Sequence, residues 1–342
     1  MAISTTVLRE RLYPTILAVI LVLCCSAGAY ARVLEIRGFA LTVSDMDRSV
    51  EFFEHALDFQ KVSERTISDR NYDYLTGVFA TRVRNVQLKL GDETIELEQY
   101  LSPAGQPIPI DSRSNDLWFQ HFAVVVSDMD KAFEHIRTFP ITGISSSPQT
   151  IPESNKGAAG IRAYKFRDPD GHPLELLYFP ADKGNPKWQQ ANGKLFLGID
   201  HSAITVSSTE RSTDFYENFI GLRVKGGGVN TGTTPEQLDN AIGAVVRITG
   251  LRPDRSAGPG IEFLQYLAPS GGRTAPGGLR PNDLELTRCI VEVDDLRSLI
   301  TRLQNTNVTF ISPDIIAVAG APYSQALMVK DPDGHALLLV QK

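Results

Sequence analysis

Glu175 stands in the segment PLELLYF, where Leu174 and Leu176 alternate with Leu177 and Phe179 and leave no polar face. A strand apolar on both sides is a buried strand. An ionised carboxylate buried alone is costly, so a metal, a cationic partner or a proton must compensate Glu175. His121 is the second residue of chemical interest. It stands five positions before the phrase VSDMD at 126–130. The same phrase occurs at 43–47, but there Gly38 takes the histidine's place. The repeat therefore changes the one residue able to bind a metal. A core histidine held by hydrogen bonds is the alternative reading.

The elements that must carry these residues repeat along the chain. IDHSAITVSST (199–209) follows the rhythm of FQHFAVVVSDM and brings His201 to the place of His121. RDPDGHPLELLYF (167–179) matches KDPDGHALLLVQK (330–342), EQYLSPAG (98–105) matches LQYLAPSG (264–271), and RSNDL (113–117) matches RPNDL (280–284). These matches define four units of roughly 80 residues, arranged as a duplicated pair. Each unit opens on an apolar strand (FALTV, FAVVV, SAITV, CIVEV). An amphipathic helix follows, as in DRSVEFFEHALDF, and three strands complete the unit. Asp45, Asp128 and Asp294 stand where a helix start wants an acceptor for its free N–H groups. Residues 64–81 and the stretch from Gly226 to 243 read as long loops, the latter with a hinge at its three glycines.

The expected organisation is a leader at 1–31, one domain from the first two units at 33–180, a polar linker at 181–196, and a second domain at 197–342. Pairing two units buries the sheet face that one unit leaves bare. The leader reading rests on Arg9 and Arg11, the apolar run TILAVILVLCC and an A-x-A site at Ala29–Ala31. An exported protein is expected, and a membrane anchor is the alternative. Cys24 and Cys25 lie in the leader, so Cys289 is left without a disulfide partner. Composition is that of a globular protein, with 42% hydrophobic and 22% charged residues. The formal net charge of −6, without a basic run, argues against nucleic acid as a partner. Neither a P-loop nor a dinucleotide fingerprint stands in a usable context.

The βαβββ unit, the opening H-x-A-x-x-V-x-D-M-D phrase and the closing D-P-D-G-H-x-x-E strand resemble the glyoxalase / bleomycin-resistance / ring-cleavage dioxygenase family, the vicinal oxygen chelate superfamily. The resemblance covers residues 33–342. It implies an α+β fold of four βαβββ modules paired into two domains with concave mixed sheets. It also implies metal ligands on the opening and final strands of each unit. In the first domain those places hold Gly38, His121, Glu96 and Glu175, so Glu96, His121 and Glu175 are the expected ligands. Glu98 would replace Glu96 if the alignment slips, and a solvated strand face is the alternative for both. In the second domain the places hold His201, Arg288, Glu262 and Leu338. Two of these cannot bind a cation, which leaves Arg288, His201 and Glu262 as substrate contacts or remnants of a site.

One imidazole with two carboxylates suits Mn, Fe, Co, Ni or Zn. The expected function is a metal-dependent lyase, isomerase or epimerase acting on a small vicinally oxygenated molecule, with Glu96 or Glu175 as general base. A non-catalytic small-molecule binder is the alternative. A ring-cleavage dioxygenase is disfavoured, because only one of its three ligand places survives in the second domain. A monomer or a homodimer can build such grooves.

Overall fold

The computed structural model describes residues 31–342 apart from 257, 276, 277, 305 and 307, so the expected leader, but for Ala31, lies outside the described residues. The four units are present in an α+β architecture. Unit one runs β1 (Val33–Thr42), α1 (Met46–Leu57), β2 (Gln60–Ile67), α2 (Arg70–Thr76), β3 (Arg82–Leu90) and β4 (Glu93–Ser102). Unit two runs β5 (Gln120–Val126), α3 (Met129–Ile136), the short β6 (Thr142–Gly143) and β7 (Gln149–Thr150), β8 (Arg162–Arg167) and β9 (Pro173–Tyr178). Unit three runs β10 (Phe196–Thr205), α4 (Thr209–Asp214), β11 (Arg223–Asn230), α5 (Thr233–Asp239), β12 (Val245–Arg252) and β13 (Gly260–Ala268). Unit four runs β14 (Arg288–Val293), α6 (Leu296–Leu303), the short β15 (Thr309–Phe310) and β16 (Ile316–Ala317), β17 (Gln325–Lys330) and β18 (Ala336–Gln341).

The expected loops at 64–81 and 226–243 are strand and helix instead. β2 and α2 occupy the first, and β11 and α5 the second, with the three glycines inside β11. Asp45 and Asp128 cap α1 and α3 by accepting from the N–H three residues on. In the fourth unit the cap is Asp295, not Asp294. Asp294 instead accepts from the Arg32 amide at 2.7 Å and its Nε at 2.8 Å, so it ties the start of β1 to the end of β14.

The units do not pair in sequence order. One nine-stranded mixed sheet joins unit one to unit four through antiparallel β1 and β14. The other joins unit two to unit three through antiparallel β5 and β10. Within each unit the opening strand runs parallel to the final strand, β1 with β4 and β5 with β9, for example. Alternation along the opening strands sends Phe39 and Leu41, and likewise Phe122, Val124 and Val126, into one continuous core shared with α1, α3 and α6. The rings of Phe39 and Phe122 stack there with centroids 6.1 Å apart. Gly38, Ala40, His121 and Ala123 therefore face the other way. Each opening strand is apolar throughout, so each can pair with either neighbour, and the pattern alone does not distinguish the two arrangements.

Candidate metal centre

The sheet of units two and three collects the ligand places that the expected domains would have separated. His121 lies on β5, Glu175 on β9, His201 on β10 and Glu262 on β13. His121 pairs across β5 and β10 with Ala203, and His201 with Ala123. Ala123 is also the register partner of Glu175, and Ala203 of Glu262. The phrase H-x-A, present in both units, thus places an alanine beside each carboxylate. Its small side chain leaves room for the four long ones to converge.

His121 Nε2 lies 3.4 Å from Glu175 Oε2, His201 Nε2 lies 3.8 Å from the same oxygen, and His201 Nε2 is 3.8 Å from Glu262 Oε1. Ligand atoms of His121, Glu175 and His201 lie within 4.8 Å of one another, and all three residues are buried. Yet His121 Nδ1, His121 Nε2 and His201 Nε2 are buried without hydrogen-bond partners. Such orphaned atoms are rare and call for an explanation. A divalent cation fits this donor set, because neutral imidazole nitrogens and carboxylates are ligands for Mn, Fe, Co, Ni and Zn.

Electrostatics agree with that fit at His121 and Glu175, whereas His201 is raised and would have to release its Nε2 proton to an ion. Burial lowers His121 to about 4, so its imidazole is neutral and its lone pair free. Burial works against an ionised Glu175, but His121, Lys165 and His201 hold it down at about 2. Burial likewise opposes a charge on His201, yet Glu262 and Asp200 lift it to about 9. Glu262 is pushed above the ordinary carboxylate range by burial. Its side chain keeps 27% of its surface exposed, so it is the carboxyl most open to the cleft.

Asp200 orients His201. The register passes from Ile199–Val124 to His201–Ala123, which leaves Asp200 as the extra residue of a β-bulge. The bulge turns its carboxylate toward His201, and His201 Nδ1 donates to Asp200 Oδ2 at 3.0 Å. The other oxygen accepts from Arg252 at 2.8 Å and from Trp188 Nε1 at 3.0 Å. Trp188 comes from the stretch expected to be a bare linker. The cluster opens into a cleft of about 460 Å³. Ala163, Leu177, Ile248 and Leu264 form an apolar wall, while Gly226 and Gly228 of β11 contribute no side chain.

Of the expected ligands, His121 and Glu175 meet here. Glu96 does not, because β4 belongs to the other sheet. It lies there beside Asn85, 3.2 Å from Oε2, and burial and Glu98 raise it. Arg288 is not at the cleft either. It is buried on β14, with Nη1 2.8 Å from Glu98 Oε2. His201 and Glu262 are members of the cluster rather than remnants. The eight ligand places stand as aligned, but they are regrouped. Units two and three supply His121, Glu175, His201 and Glu262; units one and four supply Gly38, Glu96, Arg288 and Leu338. In that second set Ala40, Tyr72, Tyr100, Ile290, Met328 and Leu338 fill the space. Asp200 was legible as the acid beside His201 in GIDHSA, while Lys165 is one of three charges on β8, with Arg162 and Arg167, and nothing local singles it out.

The family profile described as Glyoxalase/Bleomycin resistance protein/Dioxygenase superfamily matches residues 35–176 and 198–339. A 2-epi-5-epi-valiolone epimerase of an Actinomyces species is 33% identical over 163 residues, covering 46% of this chain and 85% of that protein. A lactoylglutathione lyase of Arabidopsis thaliana is 22% identical over 182 residues, and the match spans about half the length of each (53%). The crystal structure of glyoxalase I from Zea mays superposes with a TM-score of 0.60 at 16% identity, covering 91% of this chain and 92% of that one.

Proposed function

The chain belongs to the glyoxalase/bleomycin resistance protein/dioxygenase superfamily and is an enzyme of its lyase or isomerase type, and on that premise we propose that it is a divalent-metal-dependent epimerase or isomerase of a small polyoxygenated ketone. The observation that carries this reading is the pair of orphaned histidine nitrogens, His121 Nε2 and His201 Nε2, facing the same Glu175 oxygen. His121, Glu175, His201 and Glu262 would hold the ion. When bound, the ion polarises adjacent substrate oxygens as a Lewis acid. The other steps fall to side chains. Glu175, kept ionised among its neighbours, is suited to a permanent ligand role. Glu262, more open to the cleft and raised by burial, is suited to take a proton from the carbon beside a carbonyl and to return it. The apolar wall holds the carbon skeleton and keeps water from the carbanionic carbon.

The relative named an epimerase supports a cyclic hydroxyketone as substrate. The N-terminal sequence supports an exported protein, whose mature chain would begin at Arg32; the mass of the secreted product tests this. The central experiment is metal analysis with hydrogen exchange. Purified protein should carry about one ion per chain, Glu175→Ala should carry none, and Glu262→Gln should keep the ion. Glu262→Gln should also lose exchange of the α-hydrogen of an inosose into deuterated water. A chain that takes up no ion from any of the five metals overturns the reading.

One observation favours a second reading. His121, His201 and Glu175 alone make a two-histidine, one-carboxylate set, the donor pattern of non-haem iron oxygenases. Dioxygen uptake with a catechol panel by the iron-loaded chain would establish it; no uptake removes it.

A further inference from the structure

The two sheets form an internal control, because each carries the same backbone around its central face. On β8, Lys165 is the register partner of Glu175; at the corresponding place on β17, Met328 is the partner of Leu338. The helix lying over each pair ends on Asp239 in α5 and on Thr76 in α2. The surrounding hydrogen bonds are the same in both. Ser145 Oγ donates to the Leu238 carbonyl at 2.7 Å and accepts from the Lys165 amide at 2.8 Å. Ser312 Oγ donates to the Leu75 carbonyl at 2.8 Å and accepts from the Met328 amide at 2.8 Å. A serine therefore pins the helix to the sheet in each case, and neither scaffold needs a charge.

Only the sheet with the histidine cluster adds one. Lys165 Nζ lies 2.6 Å from Asp239 Oδ1, with both side chains 4% exposed. Burying two charges gives little net stabilisation over uncharged residues, and in this same molecule the corresponding places hold the uncharged Met328 and Thr76. Both Lys165 and Asp239 line the cleft. An ammonium has three N–H donors, and Asp239 takes one.

We propose that Lys165 contacts the substrate, donating to a hydroxyl or carbonyl oxygen and to the oxyanion that develops as the proton leaves. Asp239 is its positioning residue. The assignment rests on the metal-dependent reading above. It extends that site from four residues to six, and it selects substrates that bear a further oxygen on the side of β8. A fixed cation in a water-poor cleft favours the transition state over the ground state, because the negative charge is greater there.

The test uses the metal-loaded chain and acetohydroxamate, a planar two-oxygen anion, as probe. Calorimetric titration should show Lys165→Met binding it about tenfold or more weakly than wild type. Metal content should stay unchanged; the thermal midpoint should fall, because Asp239 is left buried without its partner, and the double variant Lys165→Met with Asp239→Thr, which copies the equivalent place, should recover it. Lys165→Arg should recover part of the affinity. Asp239→Asn should lower kcat for an inosose with little change in KM. Equal affinity of wild type and a metal-replete Lys165→Met overturns the role of Lys165 alone. Failure of the wild type to load metal overturns the metal-dependent reading, and this role with it. Loss of metal in Lys165→Met would mark the pair as structural support for the ligands and also overturn the assignment.

Discussion

Arg288 and Glu98 form a fully enclosed ion pair, Nη1 to Oε2 at 2.8 Å, at the place where the first and fourth units would otherwise have met as a second metal site. A guanidinium there supplies from within the chain the positive charge that an ion would bring. Removing it strands Glu98 in the core. Arg288→Met should cost about 3–5 kcal/mol in urea unfolding. Adding Glu98→Leu should recover most of that loss. On the metal-dependent reading, metal content is set by the other sheet and should be the same in all three proteins.

Asp200 acts through His201, so its loss should be felt at the ion. Asp200→Ala should weaken metal affinity by about 10- to 100-fold in competition with a chromogenic chelator. Asp200→Asn should also be impaired, because an amide can present its N–H₂ group to the imidazole and favour the wrong tautomer.

His172 should contribute to the alkaline stability profile, alongside His201 and His335, whose rings are raised as well. Its Nδ1 donates to Asp168 Oδ2 at 2.9 Å, and its Nε2 donates to the carbonyls of Thr42 at 3.0 Å and Leu284 at 3.1 Å. Both ring nitrogens therefore donate, as only an imidazolium can. Burial opposes that charge, but Asp168 raises the ring from its ordinary 6.5 to about 9. A raised folded-state value stabilises fully below about 6.5, less as the pH rises, and not at all above about 9. The difference in unfolding free energy between wild type and His172→Gln, about 3 kcal/mol at pH 6, should shrink steadily across that window. A difference constant from pH 6 to 10 would contradict the imidazolium assignment.

The βαβββ units and their helix caps at Asp45 and Asp128 can be read from the repeats, because period-2 alternation and the DPDG turns are local signals; the eight candidate ligand places come from the family resemblance laid onto those repeats. The choice of partner strands is not local. FALTV, FAVVV, SAITV and CIVEV are equally apolar, so nothing in them says that β5 pairs with β10. That one decision moved Glu96 out of the site and His201 into it. Glu175 was legible as a buried acid needing a counter-charge, but Lys165 and Asp239 come from a strand and a helix that only the folded chain brings together.

Gly226 lines the cleft and contributes no side chain to it. A Cβ there would meet nothing within 4 Å, whereas β2 carries Ser63 and Arg65 at the places of Gly226 and Gly228. Gly226→Leu should leave the urea midpoint near that of wild type and metal content intact. It should lower kcat/KM for an inosose by more than about tenfold, through KM first.

The nesting of one pair of units inside the other gives biosynthesis an order. The sheet with the histidines closes on a contiguous stretch, β5 to β13, whose last residue is Ala268. The other sheet needs β1, made first, to wait for β14 and β18 at the far end of the chain. During translation the inner half can assemble while β1, paired with β4 on one side, keeps its other edge open, the kind of exposed edge that invites association with other chains. The salt bridge from Arg32 to Asp294 then acts as a late clasp. On the metal-dependent reading, a ribosome-stalled chain long enough to bring Ala268 out of the exit tunnel should therefore already hold metal while still depending on chaperones to shield β1.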